Sequence, residues 1–353
     1  MRLAIGIAAA ASLSGCEGIP NVTLKPSTSS LMVTAMAVAP DPTAVEVGSE
    51  MLIAGGNAVD AAAAMGLVLT VTLPSRAGLG GGGVCLVSDP DSGIVDRIDF
   101  PLRPASPDID ARWRGATPHL ARGLFALHAN GGRRPWSRVV TPAERVARTG
   151  FRVSPLLAAD ILVHQGVFLN DRAAIALIQT KSRRAAIAGD TLTNPDLAIT
   201  LGRMRGRGPG SFFEGSQAKD IADAADAAGV SISAADLRAA IPAQSRIESV
   251  PSVEGELSAG AAGVGFAVVD NDGRTAACAI GMNGFFGLGL IARGHGFLFA
   301  PATSDGFDPD RVAAYTLGGG QGSAACDQSP AAGDNRCPLR SWPPVSNQNL
   351  DGR

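Results

Sequence analysis

The residue types that carry most enzyme chemistry are few in this chain, and no local spacing joins them into a site. The 353 residues contain four histidines and five cysteines, at His119, His128, His164, His295, Cys16, Cys85, Cys278, Cys326 and Cys337. No histidine has a second ligand at helical distance, and no cysteine has the short paired spacing of a zinc site. The sequence therefore predicts no metal and no cofactor.

A glycine-rich segment, "GLGGGG" at 78–83, contains the G-x-G-x-x-G spacing of a dinucleotide loop. Such a loop must open a helix, because the pyrophosphate binds at the helix N-terminus. Here the run "GVCLVSD" follows, and its alternation indicates a strand. We interpret these glycines as a turn in which backbone segments approach closely.

The elements that would position a site are mostly helices first and short strands later. Capping signals predict helices at "TAVE" (43–46), "TPAE" (141–144), "TNPD" (193–196) and "SAAD" (233–236), and Asn57 caps an Ala-rich helix. Turn residues predict two hairpins, "GVCLVSD" with "IVDRIDF" and "VGFAVVD" with "GRTAACAIGM". Runs of each element type favour an α+β fold, with helices covering a largely antiparallel sheet.

Composition and charge exclude several partners. The chain has 46% apolar residues, enough for a large core, and its 30 basic residues nearly balance 32 acidic ones. No long-range field therefore favours nucleic acid or an anionic membrane surface. The basic clusters at 181–184 and 203–208 lack interleaved aromatic residues, so we interpret them as solvated faces.

The N-terminus predicts export. Residues 1–15 form a short signal peptide with one basic residue, an apolar run and small residues before Cys16. The tetrad Leu13-Ser14-Gly15-Cys16 resembles the bacterial lipobox, which implies cleavage before Cys16 and lipid attachment to it. We expect 16–33 to be a flexible tether and the protein to lie on the periplasmic side of the envelope, anchored to the membrane. Glu17 favours the outer membrane; an ordinary signal peptide with a chance cysteine is the alternative.

Export places the remaining cysteines in an oxidising compartment. Cys85 and Cys278 lie in apolar strand-like runs and are predicted to be buried thiols. Cys326 and Cys337 bracket a loop rich in Pro, Gly and Asn, where a disulfide is plausible. The tail at 324–353 shows no hydrophobic period and is predicted to be irregular.

Seven stretches occur in one order between about residues 34 and 323. They are "GGNAVDAAAA" (55–64), "GLGGGGVCLV" (78–87), "DF" (99–100), "TPAERVARTGFRVSP" (141–155), "GDTLTNPDLAITL" (189–201), "GPGSFFEG" (208–215) and "FAVVDNDG" (266–273). Together they resemble γ-glutamyltransferase (γ-glutamyl transpeptidase). The resemblance implies a four-layer αββα sandwich of the N-terminal-nucleophile hydrolase type. It also implies a large-subunit-like region at 34–262 and a shortened small-subunit-like region at 263–323.

The site implied by this resemblance departs from the family's pattern. Family members cut themselves to expose a threonine, whose hydroxyl attacks the γ-glutamyl carbonyl while its freed amine acts as the base. Gly263 stands at that position, and Val264 and Gly265 follow, so a one-residue shift supplies no hydroxyl. Pro101 replaces the arginine that clamps the substrate α-carboxylate, with Arg103 two residues further on. We expect no self-cleavage.

Other family positions are retained or displaced. Asn283 stands at an active-site asparagine and Asp305 at the aspartate that receives the substrate's amino group, although both residue types also suit turns held by local backbone. The segment "TLGGGQGS", with Gly318 and Gly319, is similar to the family's oxyanion segment. The S-S-M-S-P pocket motif has no counterpart before it, and we interpret this as a deleted substrate-binding stretch.

These departures predict a lipid-anchored, uncleaved pseudoenzyme. It would act as a binding or scaffold subunit of an envelope complex, through "FFGLGL" (285–290) or the tail. One alternative is a divergent active γ-glutamyl hydrolase or transferase that uses Ser258 and is cleaved near residues 258–263. A third reading is a γ-glutamyl-peptide binding protein in which Arg103 and Asp305 hold the ligand.

Overall fold

The computed structural model describes residues 35–106, 111–247, 262–303, 308–309 and 313. Its α-helices are α1 Pro42–Ile53, α2 Ala58–Thr72, α3 Leu120–Ala129, α4 Trp136–Thr149, α5 Pro155–His164, α6 Arg172–Ile175, α7 Pro195–Arg207, α8 Gly210–Phe213, α9 Gly215–Ala227 and α10 Ala234–Ala239. Two 3-10 helices span Gln165–Asn170 and Ala176–Ile178. The strands are β1 Met36–Val38, β2 Gly82–Ser88, β3 Val95–Phe100, β4 Arg103–Pro104, β5 Ala116–Thr117, β6 Phe151–Arg152, β7 Thr191–Leu192, β8 Ala243–Ile247, β9 Gly263–Val269, β10 Thr275–Gly281, β11 Ile291–Ala292 and β12 Phe297–Leu298.

One six-stranded sheet organises the described residues, in the order β1-β9-β10-β2-β3-β8. Every neighbouring pair in it is antiparallel. Both predicted hairpins are confirmed, β2 with β3 and β9 with β10. The largely antiparallel sheet expected from the sequence is therefore present.

Both faces of this sheet are buried, with successive residues of each strand alternating between them. Cys85 and Val87 on β2 belong to the main core, against which α1, α2 and α3 pack. Val84 and Leu86 on the same strand belong to a second buried cluster on the opposite face. A sheet that is buried on both faces lies in the interior of a layered fold, in agreement with the α+β expectation.

Helix α2 is the centre of the helical layer. All 15 of its residues are buried, and its apolar character is spread evenly around the axis. Asn57 caps it as predicted, and the side chain of Asp60 completes the capping box by accepting a hydrogen bond from the Asn57 amide at 3.0 Å. Helix α4 packs on α2, and α7 packs on α4.

A buried polar network surrounds Asp60 at the start of α2. Its carboxylate also accepts hydrogen bonds from the backbone amides of Arg133 and Arg134, and it lies 3.3 Å from Nε2 of His128. Burial alone raises the pKa of Asp60, but the hydrogen bonds from His128 and the three amides outweigh it and lower the pKa. The same carboxylate raises the pKa of His128 against the effect of that residue's own burial.

Two predicted helix starts were wrong. Helix α4 begins at Trp136 and not after Thr141, whose hydroxyl instead donates to the Ser137 carbonyl within the helix, so that Pro142 lies in the helix interior. Helix α1 begins at Pro42, capped by Asp41 and not by Thr43. At α4 the added residues include Val139 and Val140, which are buried in the core. At α1 the side chain of Asp41 accepts a hydrogen bond from the Ala44 amide and Pro42 occupies the first turn, so a cap further upstream is used.

The prediction of buried thiols at Cys85 and Cys278 was wrong, because the two residues form a disulfide. They stand directly opposite each other in the pairing of β2 with β10, with Cα atoms 4.1 Å apart and 193 positions apart in sequence. Burial was anticipated correctly. The bond depends on the strand register, which neither apolar run reveals by itself.

Within the ranges that the structure describes, no helix combines the length and the apolarity needed to cross a membrane. The signal peptide, the tether with Cys16, the cysteines Cys326 and Cys337, and the tail at 324–353 lie outside the described residues.

Candidate functional site

Gly263 is the first residue of β9, at one end of the main sheet. It stands opposite Gly281 of β10, which in turn stands opposite Gly82 of β2. Three adjacent strands therefore have a glycine at this end of the sheet, and none of these three positions carries a side chain. A nucleophilic acyl transfer needs a hydroxyl or thiol positioned to within a fraction of an ångström.

The next strand, β3, ends beside the same site. Pro101 follows it and offers a backbone carbonyl, which accepts a hydrogen bond from Nδ1 of His119 at 3.0 Å. The backbone amide of His119 donates to Gly81, next to the glycine row. His119 thus fixes the chain after β3 against the glycine-rich turn. A proline here cannot provide the planar, bidentate cation that a carboxylate clamp needs.

His119 is a site residue that the sequence did not reveal. It is buried, and its Nε2 has no hydrogen-bond partner in the described structure. Burial lowers its pKa, and the positive charges of Arg103 and Arg122 add to this effect, so its neutral form is favoured. "TPHL" carries no signal of this role, because the surroundings of the ring come from β3 and the glycine turn.

Arg103 lies on β4, which pairs with β5 so that Arg103 stands opposite Thr117. Its side chain is exposed and forms no ion pair with any residue of the described ranges. The structure therefore brings Arg103 to the rim of the site, near enough to influence His119, and leaves its charge uncompensated.

Asn283 follows β10 with a positive φ of 55°, a conformation that asparagine tolerates better than most residues. Its side-chain amide donates to the carbonyl of Pro301 at 3.0 Å. This bond ties the loop after β10 to the segment after β12. The amide group is thus already engaged in holding the loop.

The remaining predicted site residues fall outside the described ranges. These are Asp305, Gly318, Gly319 and the rival nucleophile Ser258. Ala302, near Asp305, is described, and its amide donates to the Arg114 carbonyl at 3.0 Å. Among the residues that the structure describes, no group of three or more His, Cys, Asp or Glu side chains could hold a metal ion.

The model of one protein family, Gamma-glutamyltranspeptidase, matches residues 44–258. The chain belongs to the γ-glutamyltranspeptidase family. It is 35% identical over 221 residues to the "Glutathione hydrolase proenzyme" of Escherichia coli (strain K12), a match that covers 58% of this chain and 38% of that protein. The chain thus spans less than half of that relative's length. The family match ends five positions before Gly263, so the assignment of that position rests on the "FAVVDNDG" motif and on the start of β9.

Solved structures give the fold. A γ-glutamyltranspeptidase from Helicobacter pylori is similar with a TM-score of 0.54 and 25% identity, over 59% of this chain and 64% of that one. A cephalosporin acylase from Bacillus halodurans is similar over 75% of this chain and 68% of that one, with a TM-score of 0.63 and 18% identity. The chain has the α+β fold of the N-terminal-nucleophile hydrolases, a four-layer αββα sandwich, of which the six-stranded sheet is one inner layer.

Proposed function

We propose that this protein is a non-catalytic member of the γ-glutamyltranspeptidase family, which acts as an uncleaved binding or scaffold subunit of a complex in the bacterial cell envelope. The row of Gly263, Gly281 and Gly82 carries the proposal. Without a hydroxyl at the start of β9, no group attacks the preceding peptide bond or a γ-glutamyl carbonyl. The amides of Gly318 and Gly319, to which the resemblance assigns an oxyanion role, would stabilise charge only after such an attack.

The location in the envelope rests on the export signal and on the lipobox at Cys16, with a lipid on that cysteine as the anchor and the outer membrane as the favoured site. The Cys85–Cys278 disulfide supports it, because such bonds persist in oxidising compartments and are rare in the cytosol. Reduction of this bond would lower the stability of the sheet.

The test of the missing chemistry is the intact mass of the mature protein, measured together with hydrolysis of a chromogenic γ-glutamyl anilide. We expect one uncleaved chain and no turnover. Two fragments with a junction near residues 258–263, together with turnover, would contradict the proposal and favour the divergent hydrolase. In that case Ser258→Ala should abolish both the cleavage and the turnover. Gly263→Ala is the matched control and should change neither.

A γ-glutamyl peptide ligand is the second candidate, and the uncompensated charge of Arg103 at the site rim favours it. Glutathione titration followed by calorimetry tests it directly. Saturable binding without turnover should be abolished by Arg103→Ala or Asp305→Ala. The exposed Arg207, at the end of α7, gives a matched control in Arg207→Ala. Equal affinity in all variants would exclude a ligand role for Arg103 and Asp305.

A further inference from the structure

The outer side of the helical segment at 155–170 is apolar and exposed. Helix α5 continues directly into the 3-10 helix Gln165–Asn170, and Leu162, Val163 and Leu169 are 74%, 71% and 86% exposed. Leu162 and Val163 lie near the end of α5, and Leu169 lies near the end of the 3-10 helix that follows it. Exposed apolar side chains that are grouped on a surface mark an interaction site.

The inner side of the same segment is firmly held. Asp160 accepts two hydrogen bonds from Arg76, at 2.8 and 2.9 Å, and a third from Ser75. One turn further on, the ring of His164 stacks on Phe285 with ring centroids 3.9 Å apart. These contacts fix which side of the helix faces the protein, so the exposure of the outer leucines is a property of the fold.

The chain that follows this surface carries exposed basic side chains. Residues 171–190 leave the 3-10 helix and return to the start of α5, where the Gly189 amide donates to the Val153 carbonyl at 2.9 Å. Arg172, Lys181 and Arg183 are exposed on this return and form no ion pair with described residues.

The acidic residues of the segment do not offset this charge. Residues 155–190 contain three carboxylates, and each is paired with an arginine: Asp160 with Arg76, Asp171 with Arg293, and Asp190 with Arg184. A segment that combines exposed apolar side chains with unpaired cations, and that contains no unpaired carboxylate of its own, complements a bilayer of anionic phospholipid, which offers phosphate groups above an apolar interior.

We propose that the surface formed by 155–190 docks on an anionic phospholipid bilayer, with Leu162, Val163 and Leu169 at the boundary of headgroups and acyl chains and the three free basic side chains on phosphates. This rests on the proposed location in the envelope. Docking would fix which side of the domain faces the membrane.

The experiment measures co-sedimentation of the full chain with vesicles of phosphatidylglycerol or of phosphatidylcholine. The mature chain from residue 16 with Cys16→Ala is used, so that neither the apolar signal peptide nor a lipid contributes. We expect salt-sensitive binding to phosphatidylglycerol. Leu162→Asp with Leu169→Asp should weaken it by about tenfold or more, and removal of each free basic side chain by roughly fivefold. Ile241→Asp, at a distant site 69% exposed, is the matched control.

Several outcomes would overturn the docking surface. The first is that Cys16→Ala does not bind phosphatidylglycerol vesicles, and the second is that Ile241→Asp weakens binding as much as the two leucine substitutions do. The third is that the protein does not bind vesicles but self-associates, and that the two leucine substitutions abolish this self-association. Thermal unfolding of each variant checks that the fold is intact. If only the lipidated protein binds vesicles, the lipid anchor is supported and the docking surface is excluded. If Cys16→Ala binds and the native protein carries no lipid, the docking surface is supported and the lipid anchor is excluded.

Discussion

The start of α2 and the end of the sheet at Gly263 differ sharply in what their side chains do. At the start of α2, Asp60 is fully buried and every contact it makes satisfies a backbone amide or His128. At the end of the sheet, Gly263 and the paired Gly281 and Gly82 have no side chain. The buried polar group at the start of α2 is thus fully partnered, while this end of the sheet presents backbone at three adjacent strands. A fold and its chemistry are separable, because they depend on different residues.

The largest change in stability is expected from removal of the disulfide that links β2 to β10. Replacing Cys85 and Cys278 together by alanine removes a cross-link that closes a loop with a separation of 193 residues. We expect a loss of about 4 kcal/mol in the free energy of unfolding, measured by denaturant titration. Reductant should destabilise the native protein and leave the double variant unchanged. If reductant destabilises the native protein and the double variant equally, the effect of reductant on stability does not come from the Cys85–Cys278 bond.

A somewhat smaller loss is expected from Asp60→Ala. The variant leaves the amides of Asn57, Arg133 and Arg134 without their acceptor in a buried place. We expect a loss of about 3 kcal/mol in the free energy of unfolding. Asp272→Ala is the control, since its side chain is mostly exposed. If Asp60→Ala costs less stability than Asp272→Ala, the carboxylate of Asp60 does not hold the start of α2 together, and the two regions do not differ as described.

At the site end, Asn283 separates a structural role from a ligand role. Asn283→Ala removes the bond to Pro301 and places alanine at a positive φ, so we expect a loss of about 1–2 kcal/mol. Asn283→Gly restores the backbone freedom and should recover part of it. Chemical denaturation measures both. If neither variant changes stability while glutathione binding is lost, the amide serves a ligand and not the loop.

The smallest effect is a pH dependence of stability from the Asp60–His128 pair. The raised pKa of His128 gives a contribution that is complete below its ordinary value of 6.5 and is lost as pH rises through the folded-state value. The lowered pKa of Asp60 gives a contribution that is complete above 3.8 and is lost as pH falls through its folded-state value.

The pair should therefore stabilise the fold most between these two ordinary values. His128→Gln should cost about 1 kcal/mol in this range and less at alkaline pH. Unfolding curves across pH test this. In the Asp60→Ala background the pH-dependent effect of His128→Gln should become smaller, and the part that remains comes from the Arg134 carbonyl, which lies 2.8 Å from Nε2 and also raises the pKa of His128. A cost of His128→Gln that is constant with pH would show that no proton is involved.

The sequence alone determined what depends on neighbours along the chain. The two hairpins follow from alternation and turn residues, the cap at Asn57 from its spacing to Asp60, and the missing hydroxyl from the identity of residue 263. These features were readable because each needs only a few consecutive residues.

Tertiary structure decided what depends on partners far along the chain. The bond between Cys85 and Cys278 requires the register of β2 with β10, which is set by packing on both faces of the sheet. The early start of α4 at Trp136 requires the core that its apolar face meets. The exposure of Leu162 follows from Asp160 and His164 holding the opposite side of the helix. In each case the energy comes from contacts between distant segments, which no local pattern records.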